Sequence, residues 1–145
     1  MKAVIQRVKN AHVTVDQHMV GSIEHGLLVY LGFGKSDTHQ NLSWLCQKIV
    51  KLRLFSDDLG KMNKALDEVG GQLLVVSQFT LLANLRKGNR PSYDDAADPK
   101  EAEALYEAAL SLFRAMGYTV ASGRFGAHMD VSYTNDGPVT FVLEA

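Results

Sequence analysis

The alternation of apolar and polar positions divides the chain into recognisable elements. Residues 3–8 and 11–16 are rich in Val and Ile with partial alternation, which predicts two strands joined at Asn10. A short third strand is expected around Met19 to Ile23, leading into Gly26. The run Leu27-Leu28-Val29-Tyr30-Leu31 is apolar throughout, so it predicts a strand covered on both faces. Asp37 and Thr38 are candidate N-caps for a first helix, whose Leu42, Leu45, Cys46 and Ile49 recur at helical spacing. Residues 56–71 hold Asp57, Asp58, Gly60, Gly70 and Gly71 and read as an irregular excursion with at most one turn of helix. Gln72 to Phe79 predicts another apolar strand, and Ala83 to Asp98 a long polar loop of the kind that is often functional.

The second helix has the fuller set of boundary signals. Asp98 stands at the cap, Pro99 at the first helical position, Glu101 where a capping box places it, and Gly117 at the end. Ala102, Leu105, Tyr106, Ala109, Phe113 and Met116 form its expected buried stripe. Strands follow at Tyr118 to Ala121, His128 to Thr134 and Val139 to Leu143, the last two flanking Asn135-Asp136-Gly137-Pro138. The expectation is a single α+β domain over residues 1–145, with mainly antiparallel, barrel-like β-sheet and two principal helices.

Composition narrows the function classes. The chain has 145 residues, 46% hydrophobic and 21% charged, enough to bury one core. Its 15 Lys and Arg against 16 Asp and Glu give a net charge of -1, which excludes a generic polybasic nucleic-acid binder. No apolar run approaches the ~20 residues of a membrane helix, and no signal-peptide core follows the first residues, so no membrane association is expected. Cys46 is the only cysteine, which fits a reducing, cytoplasmic setting.

Several chemistries fail on spacing. Gly32-Phe33-Gly34-Lys35-Ser36 has the outline of a phosphate-binding loop, but Val29 stands where that motif needs its first glycine, and a strand-to-helix turn accounts for it. His12, His18, His25, His39 and His128 are dispersed and none forms a zinc pattern, so neither metal nor cofactor is expected. A Ser-His-Asp arrangement has no Gly-x-Ser-x-Gly elbow to support it.

Two segments are chemically unusual for their positions. Ser77-Gln78-Phe79-Thr80-Leu81 puts three hydrogen-bonding side chains at the end of a buried strand, where they would be costly unless they faced a cleft. Asn135-Asp136-Gly137-Pro138-Val139-Thr140 has the Asp-Gly signal of a hairpin, followed by a Pro that withholds an N–H from the next strand. Such a Gly-Pro turn is a stiff frame exposing two carbonyl oxygens, with no side chain at the Gly to block a ligand.

Together these segments resemble the signature pair of the D-aminoacyl-tRNA deacylase family. Ordered matches run along the chain: Ile5-Gln6-Arg7-Val8, Phe55-Ser56-Asp57 with Gly60-Lys61-Met62-Asn63, Gly70-Gly71, Arg86 to Ser92, and Gly123-Arg124-Phe125. The resemblance implies an enzyme that hydrolyses the ester between a D-amino acid and the 3′ end of tRNA, and that removes mischarged glycine, as on tRNA(Ala). It further implies a homodimer in which Gly137 and Pro138 of one subunit, joined by a cis bond, enter the partner's active site and leave no room for an L side chain. Ser77, Gln78, Phe79 and Thr80 would form the opposite, catalytic wall; Phe125 would line the pocket near the adenosine, and Arg7 would brace the turn. Ala83-Asn84-Leu85 departs from the family's usual Ala-Asp-Thr.

For the chemistry, Thr80 has no evident base beside it in the sequence, so a positioning frame is the favoured mechanism. In that model, also associated with the family resembled, the tRNA's own 2′-hydroxyl would assist, and backbone N–H groups near Phe79 and Thr80 would stabilise the oxyanion. The alternatives are a non-catalytic tRNA-binding module on the same fold and a hydrolase of another small ester or amide. Charge is unevenly spread. Lys2, Arg7 and Lys9 precede any acid, and Lys48, Lys51 and Arg53 cluster near the first helix. Arg86, Lys87 and Arg90 crowd the loop after Leu81, while Asp94, Asp95, Asp98, Glu101, Glu103 and Glu107 gather about the second helix. Basic runs are commonly solvated faces, but beside the catalytic segment Arg86, Lys87 and Arg90 are expected to act as a phosphate grip for the acceptor end of tRNA.

Overall fold

A computed structural model describes residues 1–86 and 88–145. Its first strand, β1 (Lys2–Val15), is one continuous element rather than two. The sequence reads as two because the alternation breaks: Arg7 and Val8 are both buried and Lys9 and Asn10 both exposed. Register shifts between Gln6 and Val8 and between Val8 and Asn10 turn the strand there without interrupting its pairing to the last strand. The first half of β1 pairs antiparallel with β3 (Gly26–Gly32), and its second half with β2 (His18–Ile23).

Helix α1 (His39–Lys51) follows, then a small ribbon of β4 (Phe55–Ser56) and β5 (Met62–Lys64), a 3-10 turn at Asp67–Val69, and β6 (Gln72–Ser77). Helix α2 (Pro99–Ala115), β7 (Val120–Ser122) and β8 (Asp130–Glu144) complete the chain. Strand β6 lies parallel to both β3 and β7, so the otherwise antiparallel sheet is mixed at this point. Gly21 of β2 packs against β7 so closely that an added Cβ would sit 3.2 Å from the Ser122 nitrogen, which brings the sheet near to closing as a barrel.

The strands therefore have two apolar faces. Leu27, Val29, Leu31, Leu73 and Val75 point outward beneath the helices, against Leu42, Leu45, Ile49, Leu105, Tyr106 and Phe113. Leu28, Leu74 and Val76 point inward, against Val8, Val13 and Ile23. This double burial is why β3 and β6 read as unbroken apolar runs.

Helix signals are realised unequally. Thr38 caps α1 as part of a capping box: its Oγ1 accepts from the Asn41 N–H, and Asn41 Oδ1 accepts from the Thr38 N–H. Asp37 instead accepts the Gly34 N–H at 2.6 Å. Asp98 occupies the cap of α2 with its side chain unbonded to the helix, so no capping box forms with Glu101. Met116 falls at the helix end, 37% exposed, and not on the buried stripe. Cys46 is buried, and burial pushes its thiol up to about 12, which makes it an apolar filler rather than a nucleophile.

Candidate active site

The end of β6 builds one wall of a cleft of about 490 Å³. Ser77 completes the parallel pairing with Leu31, and the Gln78 N–H donates to the Leu31 carbonyl at 2.7 Å. The backbone then tightens into a 3-10 turn over Phe79–Leu82, ending the strand before the Phe79 that sequence alone included. The first N–H groups of such a turn have no partner within it. No acceptor within the described residues engages those of Phe79 and Thr80.

Ser77, Gln78, Phe79 and Phe125 meet in this cleft. Thr80 faces the other way, into a shallower recess of about 470 Å³ with Val4, Gln6, Tyr30, Leu81 and Tyr133; Gln78 borders both. Gln78 Nε2 donates to Thr80 Oγ1 at 2.6 Å, so the hydroxyl's near neighbour is an amide donor and not a base. Among the described residues, no His, Asp or Glu hydrogen-bonds Ser77 or Thr80. Among the described residues, His128 is the one titratable side chain lining the first cleft, and it forms no ion pair with a carboxylate.

Residues with no site role expected from the sequence supply the remaining walls: Phe33, Ala96, Ala97, Pro99, Ala102 and Met129, among others. The run Ala96-Ala97 before a Pro-initiated helix was the available signal, because small side chains at a helix entrance leave space. Phe125 packs on Tyr106 at a centroid distance of 5.8 Å. Burial pushes the Tyr106 phenol up to about 12, and its hydroxyl donates to the Val75 carbonyl at 2.9 Å. Tyr106→Phe should therefore cost about 0.5–1.5 kcal/mol in denaturant unfolding, the worth of one hydrogen bond, since the Val75 carbonyl still accepts the Gly123 N–H at 3.0 Å. An unchanged midpoint would contradict that role.

The polar loop is tied to the site at both ends. Asn84 and Ser92 exchange backbone hydrogen bonds of 2.8 and 3.2 Å, and Asn84 Oδ1 accepts the Arg86 N–H at 3.0 Å. Asn84, where the sequence departs from the family pattern, thus organises the loop base, while Leu85 is 69% exposed. Tyr93 packs edge-on against Phe79 at 5.0 Å. Arg86 and Arg90 are exposed on this loop, and Lys87 lies outside the described residues.

The Asn135-to-Thr140 segment is not a hairpin. Both halves of β8 run antiparallel to the same strand, with Val8 opposite Asn135 and Gln6 opposite Thr140. Asp136, Gly137, Pro138 and Val139 consequently bulge out of the ladder opposite Arg7 alone. The Gly137–Pro138 peptide bond is cis, and Gly137 has φ of +128°. Arg7 is buried and spans two elements: Nη1 donates to the Leu54 carbonyl at 2.6 Å, and Nε to the Asp136 carbonyl at 3.2 Å. Nε also lies 3.0 Å from Asp136 Oδ2. Gly137 and Pro138 are exposed and line neither recess of their own chain.

Among the described residues no group of three or more metal-ligating side chains comes together, and no helix is long and apolar enough to cross a membrane.

A family model described as D-Tyr-tRNA(Tyr) deacylase matches residues 4–144. A Geotalea daltonii protein named D-aminoacyl-tRNA deacylase is 56% identical over 144 residues, covering 99% of this chain and 96% of that protein. A protein of the same name from Desulfatibacillum aliphaticivorans is 53% identical, covering 100% of this chain and 99% of its own. Among solved structures, one titled "c-Myc DNA Unwinding Element Binding Protein" superposes with a TM-score of 0.94 at 40% identity, over 100% of this chain and 99% of that one. Another, titled as a probable eukaryotic D-amino acid tRNA deacylase, has a TM-score of 0.86 at 17% identity, over 98% and 97% of the two chains, and shows the shared fold.

Proposed function

The chain belongs to the D-Tyr-tRNA(Tyr) deacylase family and is a D-aminoacyl-tRNA deacylase, a hydrolase of ester bonds; on that premise we propose that it is a chirality-selecting homodimer. The observation that carries the proposal is the Gly-Pro bulge itself: braced by a buried arginine, exposed, and outside both recesses described for its own chain. A turn so held is suited to enter the site of a second copy. The recess beside Thr80 opens on an uncovered sheet face, where paired Val4, Tyr30 and Val142 lie side by side and Val142 is 66% exposed. Apolar exposure of that kind favours association.

In the proposed site the cleft takes the terminal adenosine against Phe125, and the aminoacyl ester reaches the end of β6. Water, assisted by the tRNA's 2′-hydroxyl, attacks the ester carbonyl. The oxyanion accepts from the Phe79 and Thr80 N–H groups, and as it collapses the bond between the acyl carbon and the ribose 3′ oxygen breaks. The ribose oxygen leaves with a proton, releasing tRNA and amino acid. Preorganised donors of this type contribute about 3–4 kcal/mol to a transition state. The partner's Gly137 and Pro138 carbonyls close one side of the α-carbon. An L side chain would collide there, a D side chain points away, and glycine, having none, passes as well. Exclusion on one side leaves the other open to many side chains. Arg86 and Arg90, with Lys87, would hold phosphates of the acceptor end.

The test is ester hydrolysis on one tRNA charged in turn with a D-amino acid, its L enantiomer and glycine. The D and glycyl esters should be cleaved and the L ester left intact; equal cleavage of both enantiomers would contradict the proposal. Thr80→Ala keeps its backbone N–H, so its single-turnover rate should stay within about tenfold of the parent. A loss of about 1,000-fold or more would identify the hydroxyl as a nucleophile.

A further inference from the structure

The bulge has an entrance and an exit, and different side chains hold them. Backbone groups that leave a ladder require other partners. Arg7 serves the entrance, through the Asp136 carbonyl. The exit falls to Asn135, whose Oδ1 accepts the Val139 N–H at 3.1 Å. That bond joins the residue before the bulge to its last residue and closes the base beneath Gly137 and Pro138.

The orientation of the Asn135 amide is fixed in turn. Its Nδ2 donates to Thr140 Oγ1 at 3.0 Å, and Gln6 Nε2 donates to the same oxygen at 3.2 Å. A hydroxyl oxygen has two acceptor sites, and both are used here. Nδ2 is thereby held toward Thr140 and Oδ1 toward Val139. Gln6 and Thr140 are also the first ladder pair beyond the bulge, so the network ties the exit to β1 next to Arg7.

We propose that Asn135 is a positioning residue for chiral selection. By fixing where Val139 leaves the bulge, it sets the direction of the Gly137 and Pro138 carbonyls, without itself touching the substrate. The selectivity part rests on the reading of the turn as the chirality-selecting element; the clamp itself does not.

Two readouts on the full chain separate these parts. Amide hydrogen exchange reports the clamp. The Val139 N–H should exchange about tenfold faster in Asn135→Ala, the effect of one lost hydrogen bond, with the Leu143 amide, which faces Ala3 in the ladder of the same strand, unchanged. Asn135→Asp retains the Oδ1 acceptor and should keep Val139 protected. Deacylation of D- and L-aminoacyl-tRNA reports the consequence: the D-to-L ratio of kcat/KM should fall about tenfold or more in Asn135→Ala and be largely restored in Asn135→Asp.

Unchanged Val139 exchange in Asn135→Ala overturns the clamp, as does equal acceleration of Val139 and Leu143, which marks general loosening. Faster Val139 exchange with an unaltered D-to-L ratio overturns the selectivity role. So does an Asn135→Asp variant as impaired as Asn135→Ala, because it assigns the effect to Nδ2. Should the parent protein fail to discriminate D from L, the functional reading falls together with the selectivity role, while the exchange result still decides the clamp.

Discussion

Gly137→Ala is expected to lower kcat/KM for a D-aminoacyl-tRNA by about 100-fold or more, the scale of loss that follows a displacement of about 1 Å in a positioning element. At φ of +128° an L side chain is disfavoured whatever the space around it. Space is lacking too: an added Cβ would meet Val139 Cγ2 at 2.7 Å and Arg7 Nη2 at 3.1 Å. Relief requires the peptide planes on either side to turn, and those planes carry the carbonyls that face the substrate in the proposed site. Because the residue is exposed at the bulge tip, the stability cost should stay near 1–3 kcal/mol. Kinetics and thermal unfolding measured together check both statements. A variant with parent rates would remove the turn from the mechanism.

Arg7→Ala should damage stability and selectivity at once. Among the described residues Arg7 is the one buried charged residue, 8% exposed, and it joins Leu54 to Asp136 across β1. Its removal leaves the Leu54 carbonyl unsatisfied and frees the entrance of the bulge, at an expected cost of about 2–4 kcal/mol. Lys9 cannot compensate: its Nζ lies 4.0 Å from Asp136 Oδ1 and its side chain is 66% exposed. Arg7→Lys should recover little, because one ammonium cannot reproduce the guanidinium's contacts with two backbone carbonyls. Denaturant unfolding gives the first quantity and the D-to-L ratio the second. Parent-like stability in Arg7→Ala would show that the buried contacts are replaceable.

The sequence carried most of the element list because burial is periodic. Leu27 to Leu31 and Leu73 to Val76 are apolar throughout and prove to be covered on both faces. The stripe Ala102, Leu105, Tyr106, Ala109, Phe113 marks α2 plainly. What escaped was pairing, a long-range property. Asp136-Gly137 has hairpin chemistry, but whether the flanking strands pair with each other or with a shared neighbour depends on β1, far away in the chain. The same bulges that aim the turn shift the alternation at Arg7 and Val8 and made one strand look like two. At the site, Ser77 to Thr80 announced itself as a polar cluster ending an apolar strand. Its division, with Ser77 and Phe79 toward the cleft and Thr80 toward the shallow recess, follows from a 3-10 turn with no sequence marker. The roles of Asn84 and Asn135 were hidden for a related reason: each acts through hydrogen bonds to backbone, which asparagine makes in most turns.

The most direct test of the account is subunit mixing. Ala97→Trp fills the cleft and Gly137→Ala disables the turn, so each variant alone should be inactive on D-aminoacyl-tRNA. If cleft and turn come from different chains, a mixed dimer regains one intact site, formed by the cleft of the Gly137→Ala subunit and the turn of the Ala97→Trp subunit. Co-refolding equal amounts should then restore about one quarter of the parent activity, since about half of randomly formed dimers are mixed and each has one of two sites working. Activity no greater than that of the separate variants would place turn and cleft in the same chain and contradict the account.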